Sequence, residues 1–260
     1  MTGAHMSDIQ LLSTYAFVAI AMILSMVQNL KLERELLIGT IRATVQLLAI
    51  GYILQFVFSM QSWPYILLML ALIVGGAAAN VAGRGQGLPR VMSHAVLALT
   101  VTEIVAMGLL LVLHIVDATP QYIIPVSGMI VGNAMVTSSL LVNRLRAEVA
   151  ARRQEILVAL SLGASSAQAS AVILRQSIRA AAIPIMDNLK TVGLVQLPGM
   201  MTGMIIAGAN PLQAVRYQLM VMFVLTVATS LCAMIMGYLT YPTFFTAVHQ
   251  LRSELATTGK

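Results

Sequence analysis

The sequence predicts an all-α integral membrane protein, a polytopic bundle of about seven transmembrane helices with a cytoplasmic helical segment between the fifth and sixth. Three observations predict it: 59% of the 260 residues are hydrophobic and only 9% charged, long apolar runs recur along the whole chain, and the basic residues fall almost entirely on one set of connections. Mean hydropathy is +0.89. A soluble domain carries roughly a quarter of its residues as charges, whereas a protein solvated by acyl chains needs charge only where it meets water. The outer surface is therefore mostly lipid-facing.

Taken in order, residues 1–6 (MTGAHM) read as an expression scar, and residues 7–260 as a single membrane domain. The first apolar run has no basic lead and no small-residue cleavage signal, so it reads as a span and not as a removable signal peptide. A spanning helix takes about 20 mostly apolar residues. The stretches that qualify are 9–30, 40–60, 64–82, 92–114, 122–142, 191–209 and 217–240. An odd number of crossings puts the termini on opposite sides. All Lys and Arg except Arg216 fall on the segments of one side, so the N-terminus is expected outside and the C-terminus in the cytoplasm. The outer connections, at 61–64, 117–120 and 208–211, are short and rich in turn formers. The net charge of +6 is thus topological, and no nucleic-acid partner is indicated. Cys232, the single cysteine, lies in an apolar run, and no Cys/His spacing suits zinc.

The long polar connection, 143–190, is the cytoplasmic segment. Residues 144–162 read as an amphipathic helix closed by Gly163. Ser165 with Gln168 three residues later fits a capping box that starts a second helix, continuing through Ala169 towards Pro184. The two meet at a tight corner, Leu162-Gly163-Ala164-Ser165. Such a corner either rests on the inner leaflet with its arginines on lipid phosphates or docks a soluble subunit that drives a rigid-body motion. No G-x-x-x-x-G-K-[ST] phosphate loop is present, so any ATPase must be another polypeptide.

Within the spans, several groups are candidates for a translocation path. Glu103 sits mid-span, where a carboxylate costs several kcal/mol; it is either a hydrogen-bonded neutral acid or a cation or proton site. Pro198-Gly199-Met200-Met201-Thr202-Gly203-Met204 concentrates thioethers, which serve as adaptable packing or as soft metal ligands. The pairs Gly128/Gly132 and Gly199/Gly203 have the small-xxx-small spacing of close helix packing. Asn133 is a further polar group, and Asp187 with Lys190 forms an interfacial ion pair or a gate.

The runs LSLGASSAQASAVILRQSIRAAAIP and KTVGLVQLPGMMTGMIIAGANPLQAVRYQ, with GTIRATVQLLAIGYIL near residue 40 and IPVSGMIVGNAM near residue 125, resemble the bacterial FetB-type permeases of ABC transporters implicated in iron export, which are related to plant aluminium-tolerance permeases. The likeness covers nearly the whole chain. It implies a non-enzymatic permease subunit of a bacterial cytoplasmic (inner) membrane, present in two copies and paired with cytoplasmic ATP-binding subunits that hold ATP and Mg. It also implies iron or another metal as cargo and favours the docking reading of residues 162–169. The corner is loosely similar to the Glu-Ala-Ala loop of ABC importers, although Glu155 stands further upstream of Gly163 than the acid of that loop does. Three rivals remain: a secondary cation- or proton-coupled transporter with Glu103 as relay, an ABC permease for a different small substrate, and a non-transporting membrane scaffold or sensor.

Overall fold

The computed structural model describes residues 8–60, 62–85, 87–246 and 248–252, and over these the protein is helical throughout. The scar at 1–6, Gln61 of the second connection and Lys260 lie outside them. The elements are α1 (Asp8–Val27), α2 (Glu33–Met60), α3 (Trp63–Arg84), α4 (Val91–Val112), α5 (Pro120–Ala151), α6 (Arg153–Ser161), α7 (Ser166–Thr191), α8 (Gly199–Ile206) and α9 (Pro211–Thr240), followed by a 3-10 turn, Tyr241–Phe244. Five of them, α2, α3, α4, α5 and α9, are long and apolar enough to cross a membrane; α1 has a shorter apolar stretch, Leu12–Val27.

Proline and asparagine set several helix starts. Pro64, Pro120 and Pro211 occupy first-turn positions, where a missing N–H costs nothing. Asn210 caps α9 by accepting from Leu212 N at 2.9 Å. The frame is α3, α4, α5 and α9. Ala78, Ala95, Ala98, Ala134, Ala228 and Ala233 are completely buried at its contacts, which lets the backbones approach closely, as membrane helices do. Ser138 Oγ and Cys232 Sγ, 3.2 Å apart, join α5 to α9 in the core. The α1–α2 hairpin stands to one side. Tyr15 Oη and Thr44 Oγ1 pair at 2.9 Å, and Ser25 Oγ donates to Glu33 Oε1 at 2.7 Å. Val57 is the only buried side chain described in α2.

Two expectations change here. The helix expected over 144–162 is instead the end of α5 and, after a break at Arg152, the short α6. Nothing in the sequence marks that break, but it lets Ile156 reach a core that contains Leu145, Val149 and Leu174. The span expected at 191–209 is not one helix. Gly193 takes φ +86° and Pro198 precedes α8, so the stretch is a helix end, an irregular loop and an eight-residue helix. At 1.5 Å per residue, α8 covers only about 12 Å of a roughly 30 Å core.

α7, which leads into that loop, packs along α9. A Cβ on Gly237 in α9 would meet Leu174 Cδ1 at 3.0 Å and Ile178 Cδ1 at 3.2 Å, while Asn188 and Val192 share a groove with Met129, Gln218 and Leu225. α7 therefore runs antiparallel to α9 and ends well inside the bundle. Ile173, Leu174, Ser177, Ala181 and Ile185 are buried along it, so one face of α7 packs against the frame. Lys190, in the last turn of α7, is exposed there beside Asp187.

Candidate translocation groove and coupling corner

The groove follows from the interruption between α7 and α8. Thr191 O accepts from the N–H of Leu194 at 3.2 Å and of Val195 at 3.0 Å, and Gly193 N donates to Gln196 O at 2.9 Å. The loop is thus a tight turn, closed on itself and made possible by Gly193. Pro198 then resets the chain, its carbonyl accepting from Thr202 N at 3.0 Å and Thr202 Oγ1 at 3.1 Å. Leu194 and Val195 remain 91% and 84% exposed, although the loop sits at the level of interior residues of α5 and α9. Irregular backbone at membrane depth is tolerated only against protein or a water-filled cavity. At membrane depth, the surroundings of this loop would be water or protein.

Between the loop, α5, α8 and α9 lies a cavity of about 210 Å³. Its floor is Gln218, Val221, Met222 and Leu225, all buried. Its mouth carries Asn188 and Gln196, both exposed. Met129 of α5 and Met200 of α8 line its sides. Gln218 Oε1 is buried without a hydrogen-bond partner. Beside the mouth, Asp187 and Lys190 pair at 3.8 Å with both side chains well exposed, a further sign that this face meets water or protein.

The structure separates the candidate path residues. Met200 lines the groove, but Met201 and Met204, partly exposed on α8, are not among its lining. Asn133 donates Nδ2 to Met129 O at 2.8 Å, within its own helix. Asp187 flanks the groove mouth through its neighbour Asn188. Glu103 lies elsewhere: it is buried between α4 and α5 next to Ser127, and neither carboxyl oxygen makes a hydrogen bond of good geometry. Among the described residues, the glycines of both small-xxx-small pairs have no neighbouring atom within 4 Å of where a Cβ would stand, so no described segment is in tight contact with them there. Sequence reasoning missed Met129, Met222 and Gln218. Each sits in an ordinary apolar run, and only the bundle brings them together.

The corner is built from two caps. Gly163, at φ +88°, donates to Leu160 O at 3.0 Å, and Ala164 donates to Ala159 O at 3.0 Å; together these bonds make a Schellman closure of α6. The expected capping box is present at the start of α7: Gln168 N donates to Ser165 Oγ at 3.3 Å and Ser165 N to Gln168 Oε1 at 2.9 Å. Ala169 N continues the helix by donating to Ser165 O at 2.9 Å. Leu162, at the tip, is 83% exposed. From the C-terminal segment, His249 Nδ1 meets Ser166 Oγ at 3.0 Å, and Phe244 and Phe245 are buried in the core below. The corner is thus a rigid projection anchored at its base.

Residues 8–245 match the model of a family described as "Uncharacterised protein family (UPF0014)". The chain is 45% identical to UPF0014 membrane protein YjkA of Bacillus subtilis, over 96% of this chain and all of that protein. It is 39% identical to the "Probable iron export permease protein FetB" of Escherichia coli, over 96% of this chain and 97% of that protein. It is also 36% identical to the protein ALUMINUM SENSITIVE 3 of Arabidopsis thaliana, over 92% and 87%. No solved structure matches the chain. With its five long apolar helices and a match running almost end to end, the chain is a membrane protein of the UPF0014 family.

Proposed function

We propose that the chain is the membrane-spanning permease subunit of an ABC transporter that exports a metal cation and is driven by a separate cytoplasmic ATP-binding subunit. The observation that carries this reading is the interrupted α7–α8 element, which runs without a branch from the capped corner to the groove. A push on Leu162 and Gly163 acts on the start of α7, and the other end of α7 borders the groove through Asn188 and Thr191. α1 to α5 supply five crossings, α7 with α8 a sixth and α9 a seventh, with the N-terminus outside and the corner in the cytoplasm of a bacterial inner membrane. The open face bearing Gly128, Gly132 and the 192–198 loop meets a second copy, so the path lies between two chains. ATP and Mg bind on the partner subunit. The name of the Escherichia coli relative supports metal export.

The test is to co-purify the chain with its ATP-binding partner, reconstitute both in proteoliposomes and follow metal movement. ATP-dependent flux that needs both chains is expected. Flux driven by a proton gradient through this chain alone would replace the reading with a secondary transporter.

A further inference from the structure

The face of α9 opposite Gln218 and Leu225 carries a second groove. At its head, Gln213, Arg216, Tyr217 and Met220 share a cavity of about 320 Å³ with Ile115, just past the end of α4. Ile115 also begins an apolar cleft of about 180 Å³ between α4 and α9. Ala106 and Leu110 are buried at the floor of that cleft, and Leu109, Leu113, Phe223 and Val227 stand exposed along its walls. The two cavities form one groove, because along α9 their residues follow one another at helical spacing: Arg216, Met220, Phe223, Val227. We propose that this groove is a binding site for an anionic phospholipid, with the phosphate on Arg216 and one acyl chain in the α4–α9 cleft.

Length, depth and charge select that ligand. From Arg216 to Val227 the helix rises about 16 Å at 1.5 Å per residue, roughly one leaflet of a 30 Å hydrocarbon core. A guanidinium at one end and apolar residues over the following leaflet match a headgroup and its acyl chain. Trp63, Tyr65 and Tyr122, exposed in the first turns of α3 and α5, form at this end the aromatic belt that marks the headgroup level. The connections of this end, 61–62, 113–119 and 207–210, contain no Lys or Arg, so Arg216, itself exposed, carries its fixed positive charge. Among the described residues no carboxylate pairs with Arg216: the ion pairs are those of Arg144 and Arg152 with Glu148 and of Lys190 with Asp187. A guanidinium holds a phosphate through paired donors, and Gln213 and Tyr217 offer further donors within one turn of it. An anionic headgroup is preferred to a zwitterionic one, which brings its own ammonium beside that guanidinium. The site lies at the start of α9, whereas α7 leaves the corner to pack near Gly237 at the other end; the bound lipid therefore belongs to the leaflet remote from the corner. It stands whether or not an ATP-binding partner drives the chain.

The experiment uses the purified full chain in nanodiscs that contain phosphatidylglycerol with a photoactivatable diazirine on its acyl chain, and maps the adducts by peptide mass spectrometry. Adducts are expected on the cleft walls, at Leu109, Leu113, Phe223 and Val227, and should be competed away by unlabelled phosphatidylglycerol but not by phosphatidylcholine. Arg216→Gln, a change at an exposed position, should lower this labelling roughly fivefold or more, the attraction one basic residue supplies at a headgroup surface, and leave adducts on the exposed side of α1 unchanged. Arg216→Lys, which keeps the charge, should retain most of the labelling. Equal labelling in Arg216→Gln, or equal competition by phosphatidylcholine, would reduce the occupant to ordinary surrounding lipid and overturn the site. Competition by excess inorganic phosphate would make it a plain anion pocket, and a disulfide between two copies carrying Phe223→Cys, with no lipid adducts in the cleft, would make it a protein interface; either result overturns the lipid assignment.

Discussion

α4 and the α7–α8 element cross the same bundle in opposite states. α4 is an unbroken helix of 22 residues, and its polar groups Thr102 and Glu103 are turned inward and buried. α7–α8 is broken by a loop, and its polar groups Asp187, Asn188, Lys190 and Gln196 are turned outward. An unbroken helix satisfies its own backbone and can meet lipid on any remaining face. A broken one leaves peptide groups over, and these need water or protein. The contrast teaches that the two elements ask for different surroundings: α4 can meet lipid, whereas the face carrying the 192–198 loop, on the proposed reading, meets a second copy.

The comparison breaks most easily at the corner, where on the proposed reading α7–α8 takes its drive and α4 takes none. Gly163→Pro removes the Gly163 donor to Leu160 O and forbids the φ of +88°, a lesion of about 3 kcal/mol in the local closure. Stimulation of the partner's ATP hydrolysis by the permease should disappear, while the chain still inserts and is extracted as a folded protein. Retained stimulation would detach the corner from the drive.

The next largest effect is expected where α7 crosses the frame. Gly237→Val places methyl groups against Leu174 and Ile178, which a single Cβ would already approach at 3.0–3.2 Å. Overpacking of that size costs about 1–3 kcal/mol, to be read as a lower thermal midpoint in detergent. A Cβ at Gly128 would meet no described atom of a neighbouring segment within 4 Å, so Gly128→Val should leave that midpoint nearly unchanged and instead weaken self-association measured by cross-linking in membranes. Equal melting losses for the two variants would mean that the open face is already filled. A smaller effect belongs to the cap: Ser165→Ala loses the bond to Gln168 N and should cost about 1 kcal/mol, with Ser165→Asp restoring most of it.

How much of this was legible in the sequence depended on range. The apolar runs at 64–82, 92–114 and 217–240 correspond to α3, α4 and α9 within a few residues, because hydropathy is a property of a local window. Ser165 and Gln168 gave away the start of α7 for the same reason. The window failed at 191–209: average apolarity there is high, while Gly193 and Pro198 act on backbone geometry, which hydropathy does not register. Nor did a window register that α7 buries Ile173, Leu174 and Ile185 on one face, because the helices it packs on lie far away along the chain. The groove was beyond any window. Met129, Met200 and Met222 lie on three different helices, so the Met-rich run at 200–204 drew attention to Met201 and Met204, which do not line the groove.

The smallest expected effect sits on the α4 side and tests whether its buried acid is structural. Both oxygens of Glu103 are buried beside Ser127 Oγ, close enough to interact with it but without a hydrogen bond of good geometry. Glu103→Met fills about the same space with apolar atoms and leaves no new polar group stranded. Removing an unsatisfied buried group recovers part of the roughly 1–3 kcal/mol it costs, so the thermal midpoint in detergent should rise by a small amount, equivalent to about 1 kcal/mol. Because Glu103 is not among the residues lining the groove, ATP-dependent metal movement should continue at the parent rate. A variant that is as stable as the parent but transports nothing would move the path from the α7–α8 face to the α4–α5 contact, and with it the distinction between a dry frame helix and a wet interrupted one.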